Sequence, residues 1–231
     1  MTQRSLTIFF PCYNEEANVE RSTREALKAA QLVTADYEVI IVNDGSKDNT
    51  GEIADRLARE DSHVRVIHHP KNRGYGAALT SGYRGGVKDT IFYTDGDLQF
   101  DLTEITKLWP LIDKFDVVTG YRIKRNDPPI RKLNSYGWTS LTKFLFSLPV
   151  RDVNCAFKLF RREVISKIEI QSQGALIDAE IFARVKKAGY SITEVGVHHF
   201  PRQFGTQTGA NPFVIFRAFW ELLKLWWKLR S

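Results

Sequence analysis

The sequence predicts an α/β protein built on a mostly parallel central sheet with helices on both faces. Three observations predict it. Strand-like and helix-like segments alternate through the first half of the chain. Several strand-like runs are apolar and β-branched. Three of them end in polar clusters, where open parallel sheets bind ligands.

The elements follow in order. Residues 5–10 read as a strand and 15–30 have helical periodicity. Residues 37–42 form a β-branched strand, and 50–60 a helix with Asp48 or Asn49 as N-cap. Residues 64–68 are a short strand, 76–83 a short helix and 90–94 a strand. Residues 102–112 read as one helix and 116–120 as a further strand. The second half is less regular. Residues 124–132 are basic, hold Pro128-Pro129 and read as a mobile loop. A helix is expected over 134–146, an edge strand over 156–160, a helix over 177–188 and a strand over 191–198. Residues 201–211 read as irregular. The expected organisation is one domain over 1–210 and an amphipathic C-terminal helix over 211–231.

A chain of 231 residues, 43% hydrophobic and 26% charged, suffices for one such domain with a full core. The net charge of +6 and pI near 9.3 favour an anionic partner. There is no zinc-finger spacing and no RNA-binding signature, so nucleic acid is not the expected partner. Cys12 and Cys155 make no disulfide framework and read as reduced residues of a cytosolic protein. No signal-peptide pattern opens the chain, and no run of about 20 apolar residues predicts a spanning helix.

The most informative stretch is Thr94-Asp95-Gly96-Asp97-Leu98-Gln99, at the end of an apolar run. If the backbone stays extended, Asp95, Asp97 and Gln99 leave the same face and offer oxygens to one point. That set suits Mg²⁺ or Mn²⁺, with positions left for phosphate oxygens. The competing reading is a solvated turn after a strand. Two further clusters share the rim: Pro11-Cys12-Tyr13-Asn14-Glu15-Glu16 and Asn43-Asp44-Gly45-Ser46. Asn14 as a cap, or 43–46 as a plain turn, explains either one alone; chance does not readily align all three.

Together they predict a nucleotide-diphosphate site. Asp44, with Asn43 beside it, accepts from a base or ribose; Pro11 and Tyr13 wall the base, and Glu15 lies in the same cluster. Asn72-Arg73-Gly74-Tyr75-Gly76-Ala77-Ala78 adds a glycine-rich helix entry where backbone and Arg73 approach the nucleotide, or else only a tightly packed helix start.

These motifs, with Gly120-Tyr121-Arg122, resemble family 2 glycosyltransferases over roughly residues 5–205, and among them the polyprenyl-phosphate (dolichyl-phosphate) mannose or glucose synthases. The resemblance implies a GT-A, Rossmann-like fold, a nucleotide-sugar donor, Mg²⁺ or Mn²⁺, and inversion at the anomeric carbon. Relatives commonly carry aspartate at the position of Asn43, and alanine and histidine at those of Gly96 and Phe100, which bears on base and sugar. By the same resemblance, residues 152–160 line the acceptor side. Asp178 and Glu180 are candidates for sugar contacts or a base, with a helix cap as the plainer role of Asp178. Arg202 resembles the arginine near the diphosphate. Arg122 and Arg131, in or beside the basic loop, are candidates to hold an acceptor phosphate.

In residues 211–230 charges recur at 217, 221, 224 and 228, one polar stripe opposite a wide aromatic and aliphatic face. Three tryptophans and two lysines there match an interfacial membrane helix, with docking against the domain or a second copy as the alternative. The sequence reading is therefore a peripheral enzyme on the cytoplasmic membrane face. It transfers a hexose by metal-dependent inversion from a nucleotide diphosphate sugar to polyprenyl phosphate. A saccharide or other hydroxyl acceptor is the first alternative, and a donor-binding scaffold without turnover the second. Homo-oligomerisation is left open.

Overall fold

The computed structural model describes residues 4–123, 129–202 and 212–230, with side chains omitted at 129–135, 212–219 and 230. The strands are β1 (Leu6–Cys12), β2 (Tyr37–Asn43), β3 (Val64–His68), β4 (Thr90–Thr94), β5 (Val117–Arg122), β6 (Phe157–Arg161) and β7 (Ile192–Val197). The helices are α1 (Val19–Gln31), α2 (Thr50–Glu60), α3 (Tyr75–Gly85), α4 (Ile105–Leu108), α5 (Pro129–Phe146), α6 (Arg162–Lys167), α7 (Ile177–Lys187) and α8 (Pro212–Arg230).

The seven strands form one sheet in the order β3-β2-β1-β4-β6-β5-β7. β1 runs parallel to β2 and β4, β2 to β3, and β5 to β7; β6 runs antiparallel to both of its neighbours. Successive side chains of a strand leave opposite faces, yet every residue of β2 and β4 is buried. Both faces are therefore covered, as the continuous apolar strands require. Six strands point their carboxyl ends at one rim. β6 joins it from its other end, through the lead-in 152–156.

Three expectations are corrected. Residues 156–160 are not an edge strand: β6 lies between β4 and β5, and the edges are β3 and β7. The run carries Lys158, whose side chain is nevertheless buried and ion-paired. Residues 102–112 are not one helix. They break into α4 between single turns at Leu102–Glu104 and Leu111–Asp113. Pro110 has no N–H to continue the ladder. The basic segment is helical from Pro129, the first position of α5, where a missing N–H costs nothing; residues 124–128 lie outside the described residues, as do 203–211. The short α6 had no counterpart in the sequence reading.

α8 buries Leu222 and Leu225 in the same core as the sheet and packs on α5 and α7. Lys187 donates to the Leu229 carbonyl at 2.9 Å, and Lys228 to Gln171 at 2.8 Å. One face of the helix is thus docked, while Trp220, Leu223 and Trp227 are exposed. Among the described residues no helix is long and apolar enough to cross a membrane.

One glycine sets how closely α3 approaches β1. A Cβ on Gly82 would lie 2.1 Å from the Phe9 ring, which itself stacks on Tyr93. Gly82→Ala is expected to destabilise the fold by about 1–3 kcal/mol, the usual cost of overpacking, read as a lower urea midpoint at an unchanged slope.

Candidate active site

The first two rim loops hold each other in place. Asn14, at φ +55°, accepts from the Lys47 amide at 2.8 Å, and its own amide donates to Ser46 Oγ at 3.0 Å. The Glu15 amide donates to Thr50 Oγ1 at 2.8 Å, and the Glu16 amide to Asp48 at 3.1 Å. Glu16 in turn accepts from the Asn49 amide at 3.1 Å. Asparagine tolerates the left-handed backbone better than most residues. The interlock leaves Tyr13 projecting and exposed beside Pro11.

A third loop, after β3, is organised by Asp44. This buried carboxylate accepts from His69 Nδ1 at 2.6 Å and from the amides of Arg73 and Gly74, each at 2.9 Å. His69 Nε2 lies 2.8 Å from Ser81 Oγ, tying the loop to α3. Gly74 sits at φ +92°, open to glycine and strained for other residues. The expectation of Asp44 as an acceptor for base or ribose is narrowed. Three of its roughly four acceptor positions are used inside the protein. Asn43 is likewise committed: Oδ1 accepts from the Ser46 amide and Nδ2 faces His68 Nδ1, each at 3.0 Å. The side chain of Arg73 is exposed on this loop.

The carboxylates collect at the fourth loop. After Thr94 the backbone turns, with Leu98 at φ +60°, so the extended geometry that would align three side chains is absent. Gln99 does not join Asp95 and Asp97. Its amide nitrogen donates to the Phe200 carbonyl at 2.9 Å, and its backbone N–H to Asp97 at 3.2 Å. Asp95 Oδ1 lies 3.0 Å from the Tyr93 hydroxyl and 3.1 Å from that of Tyr75. Arg202, from the segment after β7, pairs with Glu15 and stands 3.9 Å from Asp97. Glu15 also accepts from Asn18 at 2.6 Å.

Burial, then the charge of Asp97, push the Asp95 carboxyl up to about 7. Burial also raises Asp97, with Arg202 opposing. Charge gathered in this way is what a cation relieves. Two adjacent carboxylates fit a hard divalent ion that completes its shell with water and substrate phosphates. Among the described residues no group of three or more His, Cys, Asp or Glu converges as a cage of its own.

Beneath the rim lies an ion pair that the sequence reading missed. Lys158 Nζ donates to Asp178 at 2.9 Å and to the Cys155 carbonyl at 2.5 Å, with both side chains buried. Its ammonium also lies 5.5 Å from the ring centres of Tyr93 and Phe182. Asp178 is thus held by a lysine, which disfavours a role as free base. Glu180 is corrected more fully. Its buried carboxylate accepts from the amides of Gln171 and Ser172 and from Arg184 Nε, which makes it a clamp for that loop. Arg122 forms a two-point pair with Asp152, at 2.7 and 2.8 Å, joining the end of β5 to the lead-in of β6. Nine-tenths buried, it is not an open grip for an acceptor phosphate. The Arg131 side chain lies outside the described residues.

Residues 7–169 match the family model described as glycosyl transferase family 2. The chain belongs to that family. Glycosyltransferase AglD of Haloferax volcanii is 29% identical over 97% of this chain and 37% of its own length. The undecaprenyl-phosphate 4-deoxy-4-formamido-L-arabinose transferase of Yersinia enterocolitica is 30% identical over 87% of this chain and 62% of its own. The chain thus spans between about a third and two thirds of the length of these relatives. Crystal structures of glucosyl-3-phosphoglycerate synthase from Mycobacterium tuberculosis share the fold. The phosphoglyceric acid complex has a TM-score of 0.75 at 17% identity, covering 96% of this chain and 80% of that one. The complex with Mn²⁺ and UDP-glucose has a TM-score of 0.73 at 15% identity, covering 95% and 79%. The GT-A architecture of the family is therefore the architecture of this chain.

The raised Asp95 sets a pH signature. Its ordinary value is 3.8, so between about pH 4 and 7 the folded state holds a proton that the unfolded chain has released. Metal-free stability should fall as pH rises through that window. In Asp95→Asn the fall should flatten, measured by urea unfolding at each pH.

Proposed function

We propose that the chain transfers a sugar, a hexose in the first instance, from a nucleotide diphosphate sugar to a polyprenyl phosphate with inversion at the anomeric carbon. The observation that carries this reading is the convergence of Asp95, Asp97, Glu15 and Arg202 on one rim of a family 2 glycosyltransferase domain. The undecaprenyl-phosphate acceptor in the name of the Yersinia relative supports a polyprenyl phosphate acceptor. The Mn²⁺ and UDP-glucose in a structure of like fold support the donor and metal.

In this reading Pro11 and Tyr13 flank the base, and the exposed Arg73 side chain approaches the nucleotide. Asp95 and Asp97 would hold Mg²⁺ or Mn²⁺, which supplies charge neutralisation to the departing diphosphate. Arg202 adds a guanidinium on the same side, where negative charge grows as the glycosidic bond breaks. Held by Glu15, it is pre-aimed and needs little reorganisation. An acceptor phosphate is ionised at neutral pH, so its oxygen attacks C1 without a strong base. That agrees with the committed state of Asp178 and Glu180. Orientation is then the larger part of the protein's task.

A lipid-linked acceptor brings the enzyme to a membrane surface, placed here on the cytoplasmic face. Trp220, Leu223 and Trp227 recur at i, i+3 and i+7, one exposed stripe of α8, with Lys224 lying 5.3 Å from the Trp220 ring centre. Aromatic residues beside lysines suit the headgroup region.

Two experiments test this. Nucleotide sugars of several bases, with hexoses and a pentose derivative, are screened with Mn²⁺ or Mg²⁺ and a short polyprenyl phosphate, with product read by mass. One donor should give a glycosyl lipid, and Asp97→Ala should lower its formation by about a hundredfold or more without lowering the unfolding midpoint greatly. Full activity of Asp97→Ala would refute the metal assignment. Separately, replacing Trp220, Leu223 and Trp227 together by Ala should abolish co-sedimentation with anionic liposomes while the fold is kept; unchanged binding would end the proposal for this face.

A further inference from the structure

Tyr75 and Tyr93 come from different elements and meet at one oxygen. Tyr93 is the penultimate residue of β4 and lies two positions before Asp95. Its ring is fully buried, stacked on Phe9 at 5.4 Å, with Tyr83 at 6.0 Å and the Lys158 ammonium at 5.5 Å. A ring fixed on several sides points its hydroxyl in one direction. Tyr75 is the first residue of α3, directly after Gly74, and 38% of its surface is exposed. Its hydroxyl meets both the Tyr93 hydroxyl and Asp95 Oδ1. Tyr75 therefore links the Asp44-organised loop to the carboxylate rim.

Three contacts share two phenolic protons. Either both hydroxyls donate to Asp95 Oδ1, or one donates there and the other reaches it in relay. In each case Oδ1 is held by protein donors and the rotation of the carboxylate is fixed. Such outer partners set the direction and basicity of a metal-ligating group.

Resting on the metal reading of Asp95 and Asp97 above, we infer that Tyr75 and Tyr93 are positioning residues for Asp95. They fix its carboxylate for the cation and join cation binding to the order of the 72–75 loop. Among the described residues neither hydroxyl has a hydrogen-bond partner beyond the other and Asp95. Phenylalanine would fill the Tyr93 site equally well, and the half-exposed Tyr75 ring contributes little to the core. Tyr83 gives the contrast. It belongs to the same aromatic cluster, packing on Phe9 and Phe160, yet its hydroxyl finds no partner among the described residues.

The test is Mn²⁺ titration followed by electron paramagnetic resonance, with UDP and, separately, GDP at fixed concentration. The proteins are wild type, Tyr75→Phe, Tyr93→Phe, the double variant and Tyr83→Phe. Because one hydroxyl can still serve when the other is removed, each single variant should weaken Mn²⁺ by a few-fold. The double variant should weaken it by about 10–100-fold, more than the product of the singles. Tyr83→Phe should bind Mn²⁺ as wild type does, and thermal unfolding checks that all five fold. Wild-type Mn²⁺ affinity in the double variant would overturn the role of the tyrosines while leaving the metal assignment standing. Equal weakening in Tyr83→Phe would also overturn it, by tracing the effect to packing. A wild-type chain that takes up no Mn²⁺ with either nucleotide would overturn the metal reading and this inference together.

Discussion

The structure is governed by the confinement of negative charge at one rim of the sheet. Glu15, Asp95 and Asp97 meet there, with Asp178 just beneath, against the two cations Arg202 and Lys158. Carboxylates crowded in partly buried surroundings repel one another and lose solvation, and the upward displacement of Asp95 expresses both effects. Such an arrangement persists only if the scaffold is stiff enough to impose it.

The stiffness has identifiable sources. The loops after β1 and β2 are cross-braced by reciprocal hydrogen bonds between side chains and backbone amides. The loop after β3 is held by one buried aspartate, itself oriented by His69. Below, the Lys158–Asp178 pair occupies the middle of the sheet. Ion pairs in such places cost desolvation and contribute less to stability than to fixing one arrangement of neighbours. The same pair lets β6 run antiparallel through the sheet interior while carrying a charged residue. Glu180 and Arg122 extend the bracing outwards, to the 171–172 loop and to the lead-in of β6. Several polar residues near the rim therefore spend their hydrogen bonds on neighbouring segments of the chain.

Local pattern accounts for what was legible in the chain. The parallel β1–β4 half follows from apolar runs alternating with amphipathic helices, a signal carried within each segment. The rim motifs were legible because ligand groups in such sheets follow strand ends. Tyr93 had a readable cue as well, since it lies two positions before Asp95 at the end of β4. Tyr75 and His69 had none, because their partners are set by how separate loops fold together.

The sequence by itself determined the α/β class, the family and the edge of the sheet where chemistry gathers, because periodicity and strand-end motifs are properties of contiguous residues. Only the tertiary structure decided which polar groups remain open to a ligand. Asp44, Asn43, Glu180 and Arg122 look equally available in the chain, but partners up to 30 residues away consume their hydrogen-bonding capacity. Gln99 is turned aside by one left-handed residue and a carbonyl 101 positions distant. A side chain has few donors and acceptors, and their allocation is settled by neighbours in space.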